Sequence, residues 1–185
     1  PVEYGKTKSP KEVLTAAHSL FCEKDGVVKI DAVTAYEQTE FAYTENGQWQ
    51  YCSSESYGRS GLAIYMRKRG QQWKQEEEAP NLNYQIRCDG GTYDFWVLLR
   101  IDPASPSYLG VAADGNFVDR TLLYNSGKTW RYEAEQVWRW IPLAGLALSG
   151  GKHVLTLAVL ASGVRIDRLY LTRKGDRPPV DCSWE

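Results

Sequence analysis

Apolar and polar positions alternate with a period of two through most of the chain. In the segment 152–159, His153, Leu155, Leu157 and Val159 fall on one face and Lys152, Thr156 and Ala158 on the other, which is the side-chain period of a β-strand. Trp138-Arg139-Trp140 and Gly150-Gly151 precede it, and Ser162-Gly163 and Ile166-Asp167-Arg168-Leu169-Tyr170-Leu171 follow. Strand, glycine turn, long strand, turn and closing strand is how an antiparallel β-sandwich ends. Strands are predicted over 27–33, 41–44, 48–53, 61–67, 82–88, 92–101, 107–113, 117–123, 136–141, 152–160 and 165–172, most of them separated by Gly, Asn or Asp. One segment has the period of a helix instead. Ser9-Pro10-Lys11-Glu12 has capping-box spacing with proline at the first helical position, and Leu14, Ala17, Leu20 and Phe21 form an apolar stripe ending before Gly26. The pattern predicts a helix over 10–24, and the fold class is an all-β antiparallel sandwich with one short N-terminal helix.

At 185 residues the chain has the size of one domain with a core of its own. It divides into an N-terminal extension with the helix (1–26), the sandwich (27–173) and a C-terminal tail (174–185). The stretch 67–80, with Lys68, Arg69, Lys74 and Glu76-Glu77-Glu78, reads as a solvated connection. The tail, with Pro178-Pro179, cannot continue a central strand, because prolines donate no ladder hydrogen bonds; it leads to a linker or wraps back over the domain. No apolar run is long enough to cross a bilayer, and the start, Pro1-Val2-Glu3-Tyr4, is neither a methionine start nor a signal peptide, so the chain reads as a piece of something longer.

A composition of 43% apolar and 24% charged residues with net charge −1 argues against disorder, a membrane partner and electrostatic binding of nucleic acid. The four cysteines, Cys22, Cys52, Cys88 and Cys182, have no CxxC spacing; they are free thiols or up to two disulfides in one of three connectivities. Cys88 shares a strand face with Tyr84 and Ile86, which suits a small buried thiol.

Catalytic signals are sparse. The two histidines, His18 in the predicted helix and His153 on the inward face of a strand, have no evident nucleophile or metal partner in sequence and read as structural. No nucleophile elbow, P-loop or HExxH motif is present. Aromatic residues are the excess: seven tryptophans and twelve tyrosines, several in turn-rich segments. A pyranose ring has an apolar C–H face and a hydroxyl rim, so an exposed indole or phenol beneath it and Asn, Asp, Arg or Glu at its edge make a sugar site. The candidates are Trp130 with Tyr124, Asn125 and Tyr132 around the loop Asn125-Ser126-Gly127-Lys128-Thr129, and Trp49, Tyr57 and Arg59 flanking Ser53-Ser54-Glu55-Ser56. Tyr108 is a weaker candidate, and Trp96, Trp138 and Trp140, inside strands, are assigned to packing and left out of the site.

The order Gly91-Thr92-Tyr93-Asp94-Phe95-Trp96-Val97, Val111-Ala112-Ala113-Asp114-Gly115, Trp130, Trp138-Arg139-Trp140, Gly151-Lys152-His153-Val154-Leu155 and Gly163-Val164-Arg165-Ile166-Asp167-Arg168-Leu169 resembles the β-sandwich modules appended to bacterial glycan-degrading enzymes. The group is the galactose-binding-like superfamily, including carbohydrate-binding modules of families 6 and 35. A closer similarity is to the C-terminal module of family 115 glycoside hydrolases, the xylan α-glucuronidases, through Gly58-Arg59-Ser60-Gly61-Leu62-Ala63 and Pro80-Asn81-Leu82-Asn83-Tyr84. The resemblance covers residues 27–173. It implies a jelly-roll sandwich that is not itself an enzyme, binds polysaccharide such as xylan, partners the catalytic domain of its parent and works outside a bacterial cell or at its surface. The alternative it leaves is a structural or dimerisation module with no sugar binding of its own. It also implies a structural calcium on Asp31 and Asp167, although Val33 stands where a second acid is usual.

Overall fold

A computed structural model describes residues 20–34, 37–38, 49–53, 62–66, 73–75, 79–101, 107–124, 138–161 and 163–178. Among these the strands are β1 (Leu20–Cys22), β2 (Val27–Asp31), β3 (Glu37–Gln38), β4 (Trp49–Ser53), β5 (Leu62–Met66), β6 (Asn81–Cys88), β7 (Gly91–Ile101), β8 (Ser107–Ala113), β9 (Asn116–Tyr124), β10 (Arg139–Leu148), β11 (Gly151–Ala161) and β12 (Val164–Arg173), with one 3-10 turn at Ala32–Thr34 after β2. Two sheets form the sandwich. The first has the order β1-β6-β11-β8-β9 with β3 beside β6, and the second β10-β7-β12-β5-β4 with β2 beside β12. All pairings are antiparallel except β1 with β6.

The core follows from the alternation. Tyr93, Phe95, Val97, Leu99 and Ile101 of β7 face Leu82, Tyr84, Ile86 and Cys88 of β6 and Leu155, Leu157 and Val159 of β11, all buried in one cluster. Tyr84 is tolerated at full burial because its hydroxyl donates to Ala32 O at 2.6 Å. Cys88 is the buried thiol expected, 3.5 Å from Ser149 O, and both Cys22 and Cys88 are free. Cys182 lies outside the described residues.

Three expectations are corrected. The end of the predicted helix is a strand, with Leu20, Phe21 and Cys22 pairing in parallel with Gln85, Ile86 and Arg87. Phe21 packs against the core and Glu23 anchors the segment, so tertiary contacts override local helical propensity. Residues 10–19 lie outside the described residues. The strand predicted to stop at residue 141 runs to Leu148 through Pro142; β10 is an edge strand and bulges between Pro142 and Ala144, where a missing N–H costs no ladder bond. The connection 67–80 is more than a solvated loop in its described part. Trp73 N donates to Leu160 O at 2.7 Å, Val159 N donates to Pro80 O at 2.9 Å, and Ala79 and Trp73 pack on Ala158 and Leu160. The strand predicted over 41–44 lies outside the described residues.

Strand direction gives the sandwich two unlike ends. The turns β1–β2, β6–β7, β8–β9 and β10–β11 gather at one end, while the longer connections β7–β8 and β9–β10 leave from the other. At the turn end Asp114 and Gly115 have φ of 50° and 81° between the paired Ala113 and Asn116, the left-handed conformation of a two-residue type I′ hairpin. The same end holds a buried polar network. Glu23, its side chain 2% exposed, pairs with Arg173 at 2.6 Å and accepts from Asp89 N at 2.8 Å and Tyr93 Oη at 2.7 Å. Arg173 also donates to Gly90 O at 2.7 Å and lies 4.6 Å from the Tyr93 ring centroid. Burial alone would raise the Glu23 carboxyl; the Asp89 amide, Tyr93 and Arg173 together hold it below its ordinary value.

In its described part, residues 174–178, the tail stays on the domain; residues 179–185 lie outside the described ones. Gly175 N donates to Asp94 Oδ2 at 2.9 Å, Thr172 Oγ1 donates to Asp176 O at 3.3 Å, and Pro178 is buried.

Candidate functional site

The loop aromatics selected from sequence are only partly within view. Trp49 opens β4, opposite Met66 on the edge of the second sheet, and Tyr124 closes β9, opposite Ser107. Tyr57 and Arg59 lie outside the described residues between β4 and β5, and Asn125, Trp130 and Tyr132 lie outside them between β9 and β10. His18 also lies outside them.

The outer face of the second sheet carries a different aromatic set, the one assigned to packing. Trp96, Trp138 and Trp140 are half-buried and none belongs to the core. Register explains their position: Trp96 sits between the core residues Phe95 and Val97 and so points the other way, and Trp140 pairs with Leu98 while Ile141 pairs with core-facing Val97. Tyr170 of β12 lies between Trp96 and Lys29 in the ladder. Its ring is 4.6 Å from Trp140, tilted by 46°, with Lys29 Nζ 6.0 Å from its centroid. Trp96 is held by its indole N–H, which donates to Thr172 Oγ1 at 3.1 Å. Two rows further along that face, Arg100 of β7 pairs with Arg165 of β12, and Arg165 pairs with Tyr65 of β5, its guanidinium 5.3 Å from the phenol ring. The signal was present in the sequence, since a tryptophan between two core apolar residues of a strand belongs to the opposite face.

Among the described residues this face combines aromatic surface with Lys29, Arg100, Arg165 and the fully buried Arg168, and with the carboxylates Asp31 and Asp94. Flat rings suit the C–H face of a sugar, and guanidinium groups suit hydroxyls or a carboxylate in a planar fork. Part of the face is already used, because Arg168, Tyr170 and Thr172 are buried.

Asp31 and Asp167 are both buried and close in the fold. Asp31 stands directly across the ladder from Arg168, and Asp167 is the extra residue of a bulge between Ile166 and Arg168. Each has a partner. Calcium takes six to eight oxygen ligands, and among the described residues no three His, Cys, Asp or Glu side chains gather as a metal site. Arg168, across the ladder from Asp31, is the kind of neighbour a buried carboxylate needs.

His153 brings together a serine, a histidine and an aspartate at the turn end. Its Nδ1 is 2.7 Å from Asp114 Oδ2, its Nε2 is 2.8 Å from Ser149 O, and Ser149 Oγ is 3.5 Å from Nε2. Residue types match a nucleophilic triad, but the geometry does not. A carbonyl and a carboxylate are acceptors only, so both ring nitrogens donate and no lone pair remains to take a proton from the serine hydroxyl. Asp114 and Ser149 O hold the imidazole above its ordinary value, and His153 with the Val154 amide holds Asp114 below its own. The cluster is a charged clasp joining the β8–β9 and β10–β11 turns.

No curated protein matches the chain in sequence. Among solved structures the fold is similar to the Podospora anserina GH26-CBM35 β-(1,4)-mannanase, at 16% identity and TM-score 0.57 over 84% of this chain and 29% of the mannanase. It is similar to the C-terminal CBM6 of a marine laminarinase from Zobellia galactanivorans, at 12% identity and TM-score 0.55 over 80% of this chain and 99% of that one. A carbohydrate-binding module of Cellvibrio mixtus lichenase 5A, solved with cellotriose, gives 14% identity and TM-score 0.56 over 79% and 96%. The chain thus spans under a third of the mannanase and nearly all of the two isolated modules, and at these identities the likeness is one of fold. Sequence gives the family: the pattern of the glycosyl hydrolase family 115 C-terminal domain matches residues 20–180, beginning where β1 begins, and the chain belongs to that family.

Proposed function

We propose that this domain is a non-catalytic carbohydrate-binding module that holds its parent glycan-degrading enzyme on polysaccharide outside the cell, xylan being the first glycan to test. The observation that carries the reading is the half-buried aromatic face of the second sheet, with Trp96 and Trp140 beside Lys29, Arg100 and Arg165. Guanidinium groups such as that of Arg165 fit the hydroxyls or a carboxylate of a glycan that bears uronic acid. Trp49, Tyr57, Arg59, Tyr124, Asn125, Trp130 and Tyr132 form the second aromatic set of the proposal. Binding would be weak per site and effective through tethering, which raises local substrate concentration without new contacts. The clasped His153, with no free lone pair, supports a role outside catalysis.

Affinity gel electrophoresis against xylans, glucuronic-acid-bearing oligosaccharides, mannans and galactans tests it. Selective retardation that Trp140→Ala or Trp130→Ala removes supports the module, and absence of retardation on every glycan refutes it. Calcium on Asp31 and Asp167 is the metal arm: EDTA lowering both retardation and Tm supports it, and no effect of EDTA assigns the two carboxylates to Arg168 and the backbone.

A second reading is a structural module packed on the catalytic domain. The burial of Arg168, Tyr170 and Thr172 on the outer face favours it, because a face already partly covered suits a protein contact as well as a sugar. Concentration-dependent self-association, or a stable complex with the catalytic domain lost in Trp140→Ala, would select this reading.

A further inference from the structure

The outer face of the first sheet has a cavity of about 310 Å³ at the turn end, lined by Leu20, Gln85, Asp114, Lys152, His153 and Val154. Three of these residues form one row across the strands, with Leu20 opposite Gln85 and Gln85 opposite Val154. That row is a floor with an apolar group at each side and an exposed amide between them. Lys152, also exposed, stands one step along β11 opposite Arg87, and Asp114 overhangs from the β8–β9 hairpin.

The polar groups differ in what they have left to offer. His153 spends both ring nitrogens on Asp114 and Ser149 O, so it positions Asp114 and has nothing free for a ligand. Asp114 accepts once at each oxygen, from His153 and from Val154 N at 2.9 Å. A carboxylate has about four acceptor sites, so roughly half remain, on a side chain that is 49% exposed. A carboxylate and an ammonium lining one cavity, with Arg87 opposite Lys152, favour a ligand that accepts at one atom and donates at another. Vicinal hydroxyls on a sugar ring do this.

We propose that this cavity binds a single neutral pyranose unit, one hydroxyl donating to Asp114, its neighbour accepting from Lys152, a third meeting the Gln85 amide, and ring C–H groups lying on Leu20 and Val154. Small-ligand pockets begin at about 300 Å³, so the volume suits one ring and not a chain. Among the described lining residues none offers an aromatic platform, so weak binding is expected, on the order of 1 mM. The site shares no residue with the aromatic face and does not depend on that reading.

Amide NMR of the 185-residue chain, titrated with methyl β-xyloside and separately with methyl β-glucuronide, tests the assignment. The xyloside is expected to shift the amides of Gln85, Asp114, Lys152 and Val154 saturably. Lys152→Met should weaken this at least tenfold with the spectrum otherwise dispersed as in the wild type, and Gln85→Leu should weaken it independently. Absence of saturable shifts at these amides, tighter binding of the glucuronide there, or undiminished binding in both Lys152→Met and Gln85→Leu overturns the proposal.

Discussion

His153→Ala probes the clasp at the turn end, and its cost should depend on pH. The wild-type ring donates to a carboxylate at 2.7 Å and to a carbonyl at 2.8 Å, and only the imidazolium carries both protons. A hydrogen bond to a charged group contributes about 1.5–3 kcal/mol. Asp114 is 49% exposed, which pulls its share toward the surface ion-pair range of about 0–1 kcal/mol. With about 1 kcal/mol for the carbonyl bond, the substitution should cost about 2 kcal/mol while the ring is charged, or about 4–8 °C in Tm for a domain of this size. The sign follows from the direction of each shift. A raised histidine contributes fully below its ordinary value of 6.5 and loses the contribution as pH rises through the raised one. A lowered aspartate contributes above its ordinary 3.8 and loses it as pH falls through the lowered one. Above the raised histidine value the neutral ring keeps one N–H for two acceptors, so the Tm gap should fall to about half, roughly 2–4 °C. Thermal melts of the wild type, His153→Ala and Asp114→Asn from about pH 5 to pH 9 measure this across the imidazole range. A gap that stays constant over that span would refute a charged His153, and so would a gap that widens.

Other consequences are as direct. Glu23→Gln removes the charge that Arg173 pairs with at 2.6 Å; since Arg173 is 35% exposed and can regain water, the cost should be about 2–3 kcal/mol, below the usual range for a fully buried pair. Because the Glu23 carboxyl is lowered, its contribution is present above 4.5 and lost as pH falls through the lowered value, so the Tm gap should close in acid. Gly90→Ala places a Cβ 2.5 Å from Gly150 N at φ +92° and should prevent close packing of the two turns, whereas Gly115→Ala, at φ +81° with nothing within 4 Å, should cost only about 1–2 kcal/mol of left-handed strain; equal denaturant midpoints for the two variants would contradict this. Trp140→Ala should lower Tm only modestly, since the ring is half-buried and packs on Tyr170 alone among the described aromatic pairs, and a loss comparable to a core truncation, about 3–5 kcal/mol, would move Trp140 into the core.

Much of the fold was legible because the alternation is strict where both sheets bury one face. The run Tyr93, Phe95, Val97, Leu99 gives β7 within a residue, and the pairs Asp25-Gly26 and Asp114-Gly115 mark their hairpins by left-handed geometry at both residues. What was missed depends on neighbours distant in sequence. Leu20 and Phe21 fit a helical stripe equally well, and only Gln85 and Ile86, more than sixty residues later, make them a strand. Pro142 reads as a stop until β10 is known to be an edge. For the site, composition pointed to aromatic residues; the strand tryptophans assigned to packing do pack in part, Trp140 on Tyr170 and Trp96 through Thr172, and only the register shows that they do so on the outer face rather than in the core. The His153 clasp joins residues 39 positions apart and has no local signature.

The two surfaces proposed for sugar bear on what the domain can do for its enzyme. Trp96 and Trp140 lie on the outer face of one sheet, and Gln85, Lys152 and Val154 on the outer face of the other. Packed sheets stand about 10 Å apart, with their outer faces turned away from each other, so one extended glycan cannot lie on both without passing around an edge strand. Occupancy of both then means two chains, or one chain and a free sugar. In the first case the domain gains avidity only on a dense, multi-chain substrate, because effective concentration is raised only when both sites can be engaged together. In the second the cavity reads the free sugar released nearby, without competing for the face that holds the polymer. Measuring retention on soluble glycan with and without excess methyl xyloside separates them: weakened retention would mean that the two faces share a ligand, and unchanged retention that each has its own.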